Sequence, residues 1–274
     1  MPELPEVETI ARRLRRAIPG RTIARVSLSG MPLRRPVEGS FIDILRGRKI
    51  IRVHRRGKYL VIELEPRAFW VTHLGMSGRI FFYADACAAG GHHTHATVTF
   101  SDGAVLEYRD PRRFGLLAAR ESRSIGEVPE LARLGKDPLS RSFNLRWLEP
   151  VLRSTRRDVK SLLLDQSKIA GLGNIYVCEA LFHARIHPAR RCDRISRREM
   201  KSLIRAISRV LRRAIQCRGT TFSDFAASDG SPGGNQRYLR VFRREGLRCR
   251  RCRSVIARVR QGNRSSYYCP GCQN

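Results

Sequence analysis

Apolar residues recur at helical spacing at the start of the chain and at strand-like spacing after it. Val7, Ile10 and Leu14 fall on one face of a helix that a proline–glycine pair would end. Five strand-like runs follow: TIARVSL, RKIIRVHRR, KYLVIEL, FWVTHL and GRIFFY. Two alternating runs then flank Asp102-Gly103, which is a strong hairpin signal. Because residues 20–120 lack regular helical crossovers, we predict an antiparallel β-sandwich or barrel.

The pattern turns helical after the turn-rich stretch LGKDPLSRSFN at 134–144. Four helices are predicted, over LEPVLRS, DVKSLLLDQ, NIYVCEALFHA and SRREMKSLIRAISRVLRRAIQC, with the glycine-rich turn AGLGN between the second and third. A glycine-rich loop and a cysteine-bearing module complete the chain. We therefore predict an α+β multidomain protein, divided into 1–135, a linker at 136–148, a helical domain at 149–230 and a C-terminal module at 240–274.

The C-terminal module has the spacing of a zinc site. Two Cys-x-x-Cys pairs are separated by sixteen residues, and they comprise Cys249, Cys252, Cys269 and Cys272. Each pair can turn two sulfurs inward, and four thiolates form a closed tetrahedral site without room for a reactive water. We predict one structural Zn²⁺ and a hairpin between the pairs. The remaining cysteines lack such spacing and are interpreted as ordinary thiols.

Charge then points to the partner. The chain has 54 basic and 24 acidic residues, a net charge of +30, and a surface of that sign attracts nucleic acid. No apolar run is long enough to span a membrane, and the acidic N-terminus is unlike a signal peptide. We expect a cytoplasmic protein that binds nucleic acid rather than a membrane.

Two segments are candidates for phosphate contacts. The AGLGN turn precedes a helix N-terminus, where free backbone N–H groups favour anions, and Asn174 could add a hydrogen bond. Lys160 lies on the preceding predicted helix, and Arg156 would share its face if that helix were continuous. Three histidines in GGHHTHA at 90–96 could donate to phosphate or bind a metal. Simple turn chemistry remains the alternative for the AGLGN segment.

The N-terminus is a candidate nucleophile. Removal of Met1 would leave Pro2 with a secondary amine, which forms a persistent iminium cation when it attacks an aldehydic sugar carbon. An α-amino group is also less basic than lysine, so more of it is unprotonated near neutral pH. The alternative is that Pro2 only starts a helix whose acidic first turn complements the helix dipole.

Six motifs, in one order along the chain, resemble the bacterial formamidopyrimidine-DNA glycosylase family. They are MPELPEVET, KYL at 58–60, HLGMSG at 73–78, DPRRFG at 110–115, GLGNIY at 171–176 and the four-cysteine module. The resemblance covers nearly the whole chain. It implies an N-terminal β-sandwich, a helix–two-turns–helix domain that includes a lesion-recognition loop, and a zinc finger. It also implies base excision repair of oxidised purines by a monomeric glycosylase and abasic-site lyase, associated with the bacterial nucleoid.

The resemblance also implies residue roles. Pro2 matches the Schiff-base nucleophile, Glu3 the acid for sugar-ring opening, and Lys58 a phosphate-contacting lysine assigned to β-elimination. Arg264 matches an arginine that grips phosphates and is associated with δ-elimination. The resemblance implies that three residues fill the gap in the DNA double helix after the lesion flips out, namely Met76, Arg112 and Phe114. It also implies three phosphate contacts, at His93, Lys160 and Asn174. Arg156 joins the DNA contacts only on helical spacing.

Two departures leave the lesion preference open. The loop after SDG reads SPGGNQRYLRVF, with Gly234 and Asn235 where the family carries bulkier residues. The usual VYGR appears as VFRR, which puts Arg243 where glycine is typical. An endonuclease VIII-like enzyme for oxidised pyrimidines is the nearest alternative, although its usual start is PEGPE. A non-catalytic, zinc-bearing DNA-binding protein is the alternative from another class.

Overall fold

The computed structural model describes residues 2–85, 89–221 and 232–274. Met1, Cys87 and most of the predicted glycine-rich loop lie outside these residues, so the predictions about them stay predictions. The chain divides into two compact units, Met1–Arg133 with Cys217–Gly234 and Leu134–Gln216 with Asn235–Asn274. The predicted division near residue 135 falls beside the observed one, whereas the helical segment and the cysteine module share one unit.

The first unit is built from two antiparallel four-stranded sheets. Their strand orders are β1-β6-β7-β5 and β2-β3-β4-β8. The strands are β1 Ile23–Leu28, β2 Lys49–Arg56, β3 Tyr59–Glu65, β4 Ala68–His73, β5 Arg79–Tyr83, β6 Thr94–Phe100, β7 Val105–Arg109 and β8 Leu116–Glu121. Both sheets contribute to one hydrophobic core, so the predicted β-sandwich is confirmed. The sequence patterns did not predict three elements, which are the short helices α2 (Ser40–Leu45) and α3 (Pro129–Ala132) and strand β8.

Helix α1 (Leu4–Ala17) begins earlier than its apolar pattern and packs against β2. Val7, Ile10 and Leu14 are almost completely buried in the core of the first unit. Truncating one such side chain to alanine costs about 2–5 kcal/mol. The sequence start is therefore held in place by apolar burial along one helix face.

The second unit contains four helices and a hairpin. The helices are α4 Leu145–Arg153, α5 Val159–Leu164, α6 Asn174–Ala184 and α7 Arg197–Gln216, and the hairpin strands are β9 Ala257–Gln261 and β10 Arg264–Tyr268. Helix α6 is buried on nearly every side, whereas α7 buries one face and exposes arginines on the other. The prediction for α6 coincides with its observed bounds. Among the described residues, none of the helices combines the length and apolar character that a membrane crossing requires.

Candidate active site

The N-terminal segment is held by a buried carboxylate. Pro2 is buried, and Glu3 caps α1 in a capping box with Glu6. One Glu6 oxygen accepts the Glu3 backbone N–H at 2.8 Å, and the other accepts the Thr220 N–H, also at 2.8 Å. Two distant parts of the chain thus meet on one side chain beside Pro2. Sequence reasoning gave Glu6 only a helix-dipole role, because its partner lies 214 positions away.

A second buried acid fixes α1 on the sheet. Glu8 bonds to Arg15 at 2.8 Å and to Arg55 of β2 at 2.9 Å. Burial alone would raise the pKa of Glu8, but hydrogen bonds and charge from these two arginines lower it below its ordinary value. The helix that presents Pro2 therefore cannot slide on β2 without separating buried charges.

Lys58 lies in the turn between β2 and β3 and is 5% exposed. Its neighbour His73 has a pKa lowered to about 4, chiefly by burial and then by the charges of Lys58 and Arg34. A neutral His73 ring accepts the Gly75 backbone N–H at Nδ1, at 3.0 Å. The imidazole beside Lys58 is therefore neutral near neutral pH.

The three residues predicted to enter the DNA double helix lie on two loops that contact each other. Met76 is 37% exposed and Phe114 is 45% exposed, while the Arg112 guanidinium lies 5.0 Å from the Phe114 ring centroid. The loops meet at Gly75, which has φ +60°, and a Cβ there would lie 2.4 Å from the Phe114 carbonyl. Only glycine permits this approach. The structure thus brings all three predicted residues to one exposed edge of the first unit.

Asp110 connects the two loops through hydrogen bonds to its buried carboxylate. Its carboxylate is fully buried and accepts Ser77 Oγ–H at 2.5 Å, Gly115 N–H at 2.8 Å and Tyr108 O–H at 3.1 Å. Ser77 Oγ in turn accepts the Arg112 backbone N–H at 3.1 Å. Burial, together with the charge of Asp110, raises the pKa of Tyr108. The aspartate of DPRRFG is therefore a loop-organising group that the sequence analysis did not single out.

His93 belongs to the same loop system. It is exposed, has φ +60°, and its carbonyl oxygen accepts the Asp110 N–H at 3.0 Å. The neighbouring His95 is buried between Ser29 Oγ and the Asp110 carbonyl. Over the described ranges, the histidine cluster offers no group of three metal ligands, so the metal alternative for GGHHTHA gains no support there.

In the second unit, Lys160 and Asn174 converge on the hairpin. Lys160 Nζ donates to the Ser265 carbonyl at 3.0 Å and to Ser266 Oγ at 2.6 Å, and Asn174 Nδ2 donates to the same Ser265 carbonyl at 2.9 Å. Lys160 is 1% exposed, and burial is the main reason its pKa lies below the ordinary value. Both side chains hold β10 at the residue after Arg264, which is itself exposed.

The helical-spacing argument for Arg156 is wrong. Helix α5 begins at Val159 with Asp158 as its N-cap, and the Asp158 side chain accepts the Ser161 N–H at 2.8 Å. Arg156 precedes the cap and is exposed, so it does not share a helix face with buried Lys160. The capping aspartate was the signal that could have placed the helix start correctly.

The four C-terminal cysteines form a compact cluster. Their sulfurs all lie within 4.8 Å of one another, with 3.3 Å between Cys252 and Cys269 and 4.0 Å between Cys249 and Cys272. Four sulfurs about 2.3 Å from a tetrahedral Zn²⁺ lie about 3.8 Å apart, so the cluster fits that ion. Four thiolates complete the tetrahedral coordination of zinc and leave no open position for a reactive water. The chain therefore carries a structural zinc site.

Comparison with known proteins matches the whole chain. Residues 1–117 match the formamidopyrimidine-DNA glycosylase N-terminal domain, residues 134–226 its H2TH domain, and residues 246–274 the zinc finger found in FPG and IleRS. The formamidopyrimidine-DNA glycosylase of Dinoroseobacter shibae is 40% identical over 283 residues, covering 100% of both chains. That of Desulforamulus reducens is 41% identical, covering 100% of this chain and 99% of the relative.

Solved structures agree with this match. The MutM (Fpg) protein of Thermus thermophilus has a TM-score of 0.88 and 40% identity, covering 99% of this chain and 98% of that one. The Lactococcus lactis Fpg in complex with an abasic site containing DNA has a TM-score of 0.87 and 31% identity, covering 99% of each chain.

Proposed function

This chain belongs to the formamidopyrimidine-DNA glycosylase family, and from that membership we propose that it excises oxidised purines from duplex DNA through the nitrogen of Pro2. The family makes it a DNA glycosylase of base excision repair with abasic-site lyase activity. The observation that carries the proposal is the buried Pro2–Glu3 segment, held by the bonds of Glu6 to the Glu3 and Thr220 backbones. A nucleophile needs such fixed geometry to meet an electrophilic carbon.

The chemistry divides into steps whose atoms balance. Once Met1 is removed, the Pro2 nitrogen attacks C1′ of the damaged nucleotide while the bond from C1′ to the base breaks. The base leaves with the proton that the Pro2 nitrogen loses, and Glu3 supplies a second proton to the sugar oxygen as the ring opens. The product is an iminium cation, which withdraws electrons from C2′. Loss of a C2′ proton then breaks the 3′ C–O bond, and a second elimination breaks the 5′ C–O bond.

The proposed DNA contacts follow from the same family membership. Lys58 and Arg264 grip phosphates beside the lesion, and Lys58 serves the first elimination and Arg264 the second. Met76, Arg112 and Phe114 fill the gap left by the flipped nucleotide, which recovers part of a flipping cost of a few kcal/mol. Their shared exposed edge supports this role. His93 and Asn174 contact further phosphates, and Asn174 also holds β10. Lys160 is 1% exposed and donates to β10, so it supports phosphate binding only by holding β10 beside Arg264.

The zinc finger and the division of the chain complete the proposal. Cys249, Cys252, Cys269 and Cys272 are the zinc ligands, and the metal closes the turns that carry the finger. The catalytic domain spans 1–135, the helix–two-turns–helix domain 149–230 and the finger 240–274. The enzyme acts as a monomer in the cytoplasm, on DNA of the bacterial nucleoid.

Borohydride trapping tests the nucleophile. We expect a covalent adduct with a duplex carrying 8-oxoguanine opposite cytosine, and no adduct for Pro2→Gly. Pro5→Ala is the matched control, because Pro5 lies three residues from Pro2 in the first turn of α1 and has no proposed role in chemistry. Equal trapping by Pro2→Gly would refute the assignment. An intact mass that retains Met1 would also refute it, because the proline nitrogen would then be an amide.

The same assay separates the alternatives. An adduct only with 5-hydroxyuracil would favour the pyrimidine-specific enzyme. An adduct only with an abasic site would leave a lyase without base recognition. No adduct with any of the three substrates would favour a non-catalytic DNA-binding protein.

A further inference from the structure

A cationic surface surrounds an exposed tyrosine beside α6. The Tyr238 ring is 38% exposed, and the guanidinium carbons of Arg213 and Arg237 lie 5.5 Å and 5.0 Å from its centroid. We call this surface the Tyr238 patch, and it comprises Arg209, Arg213, Arg237, Tyr238, Arg240 and Arg251. All six residues belong to the second unit.

Four separate segments bring these residues together. Arg209 and Arg213 are one turn apart on α7, and Arg251 lies between two zinc-finger cysteines with its guanidinium 4.6 Å from the Phe182 ring of α6. The segment with Arg237, Tyr238 and Arg240 is anchored by Glu179, whose fully buried carboxylate accepts the backbone N–H groups of residues 240, 241 and 242. The backbone that carries Arg240 is therefore fixed by hydrogen bonds to a buried carboxylate.

The patch carries more positive charge than its neighbouring carboxylate, Glu179, can offset. Within the ranges that the structure describes, none of its five arginines forms an ion pair with a carboxylate. The density of charge is evident at His183 in the last turn of α6, whose pKa is lowered to about 4 by burial and then by four of these arginines. One or two cations would complement the carbonyl end of α6. Five exceed that need and repel one another.

The shape of the patch limits what it can bind. The cavity beside Tyr238 is about 10 Å³, room for about one water molecule, so neither a small ligand nor a protein anchor residue has a pocket to fill. Phosphodiester groups need no pocket, and a guanidinium packed on an aromatic ring is already oriented for bidentate phosphate contacts. These features favour a nucleic-acid backbone over an acidic protein.

We propose that the Tyr238 patch binds the phosphate backbone of a second segment of duplex DNA, in addition to the segment held at the proposed phosphate contacts. The choice of DNA as partner rests on the proposed function. Tyr176, Glu179 and His183 line the cavity beside Tyr238 and share one face of α6, whereas Asn174 falls on the opposite face, so the patch and that contact lie on opposite sides of one helix. A protein holding two segments can pass between them without release into solution.

A bridging assay tests this inference. Lesion-free duplex is immobilised, the protein is added, and capture of a second, fluorescent lesion-free duplex is measured. We expect the patch variant R209Q/R213Q/R251Q to capture at least tenfold less than wild type. Its slope of log affinity against log salt for the second duplex should fall by about 2–3, one for each lost phosphate contact. Y238L keeps every charge and should lose part of the capture, because its ring no longer orients Arg213 and Arg237.

The control variant is R141Q/R146Q/R198Q, which removes the same charge from exposed positions of the same unit. We expect it to capture like wild type. Equal loss in the control would show a general charge effect and overturn the inference, as would undiminished capture by the patch variant. Stronger competition by polyglutamate than by free duplex would assign the patch to an acidic protein instead.

A separate measurement keeps the two proposals apart. Single-turnover excision from a short duplex with 8-oxoguanine should be unchanged in the patch variant, because one short duplex occupies only the proposed catalytic segment. Failure of excision in wild type would refute the proposed function, and the bridging assay could still be interpreted.

Discussion

Replacing Asp110 with asparagine tests whether one buried charge holds the two loops that carry Met76, Arg112 and Phe114. Three donors converge on its carboxylate, at 2.5, 2.8 and 3.1 Å. Hydrogen bonds to a charged group contribute about 1.5–3 kcal/mol each, against about 0.5–1.5 for neutral pairs. The isosteric amide forfeits about 1 kcal/mol per bond and turns an N–H group toward one donor. We therefore expect D110N to lower the free energy of unfolding of the first unit by about 2–3 kcal/mol.

The assay uses the positions of the two tryptophans. Trp70 is buried in β4 of the first unit, and Trp147 lies on α4 of the second. In a W147F background, urea unfolding followed by fluorescence reports the first unit alone. D43N is the matched control, because Asp43 is exposed on α2 and its change to asparagine should stay within about 0.5 kcal/mol.

The functional arm of this test distinguishes loop order from global stability. D110N should slow excision from duplex DNA more than it slows cleavage of a single-stranded abasic site, since only the duplex needs its gap filled. An unfolding curve for D110N that superimposes on the W147F background would refute the reasoning. So would a stability loss with equal effects on both substrates, because the loops would then have no special dependence on Asp110.

Three further perturbations give measurable results. Arg243 has φ +55°, a left-handed conformation that costs a residue with a side chain about 1 kcal/mol. R243G should therefore raise the free energy of unfolding by about 0.5–1 kcal/mol, measured as a higher urea midpoint. An unchanged midpoint would contradict this. C252S should lose zinc by metal analysis and weaken DNA binding, while C217S keeps both; unchanged affinity without metal would remove the finger from DNA binding. Because the folded pKa of Glu8 lies below its ordinary value, its stabilisation is present above that value and is lost as the pH falls through the folded pKa. E8Q should therefore cost about 2–3 kcal/mol at pH 7, and the gap to wild type should narrow in acid; a constant gap would exclude this linkage.

Local patterns in the sequence determined most of the secondary elements and the zinc module. Apolar patterns predicted seven strands of the first unit that are observed, and α6 follows its apolar run to the residue. Two Cys-x-x-Cys pairs were enough to predict the sulfur cluster, because each turn fixes its own pair. These features succeed because their causes, helical or strand periodicity and turn geometry, act over a few residues.

The tertiary structure decided which polar groups position those elements. Glu6 meets Thr220 across 214 positions, Glu179 accepts the N–H groups after residue 239, and Lys160 is buried against β10 rather than displayed on a helix face. Burial converts each of these ordinary charges into a structural bond, because a buried charge must find partners wherever the fold supplies them. The sequence by itself thus determined the candidate reagents of this protein, Pro2 first among them. Only long-range packing decided what holds each one in place, since those contacts leave no periodic trace in the chain.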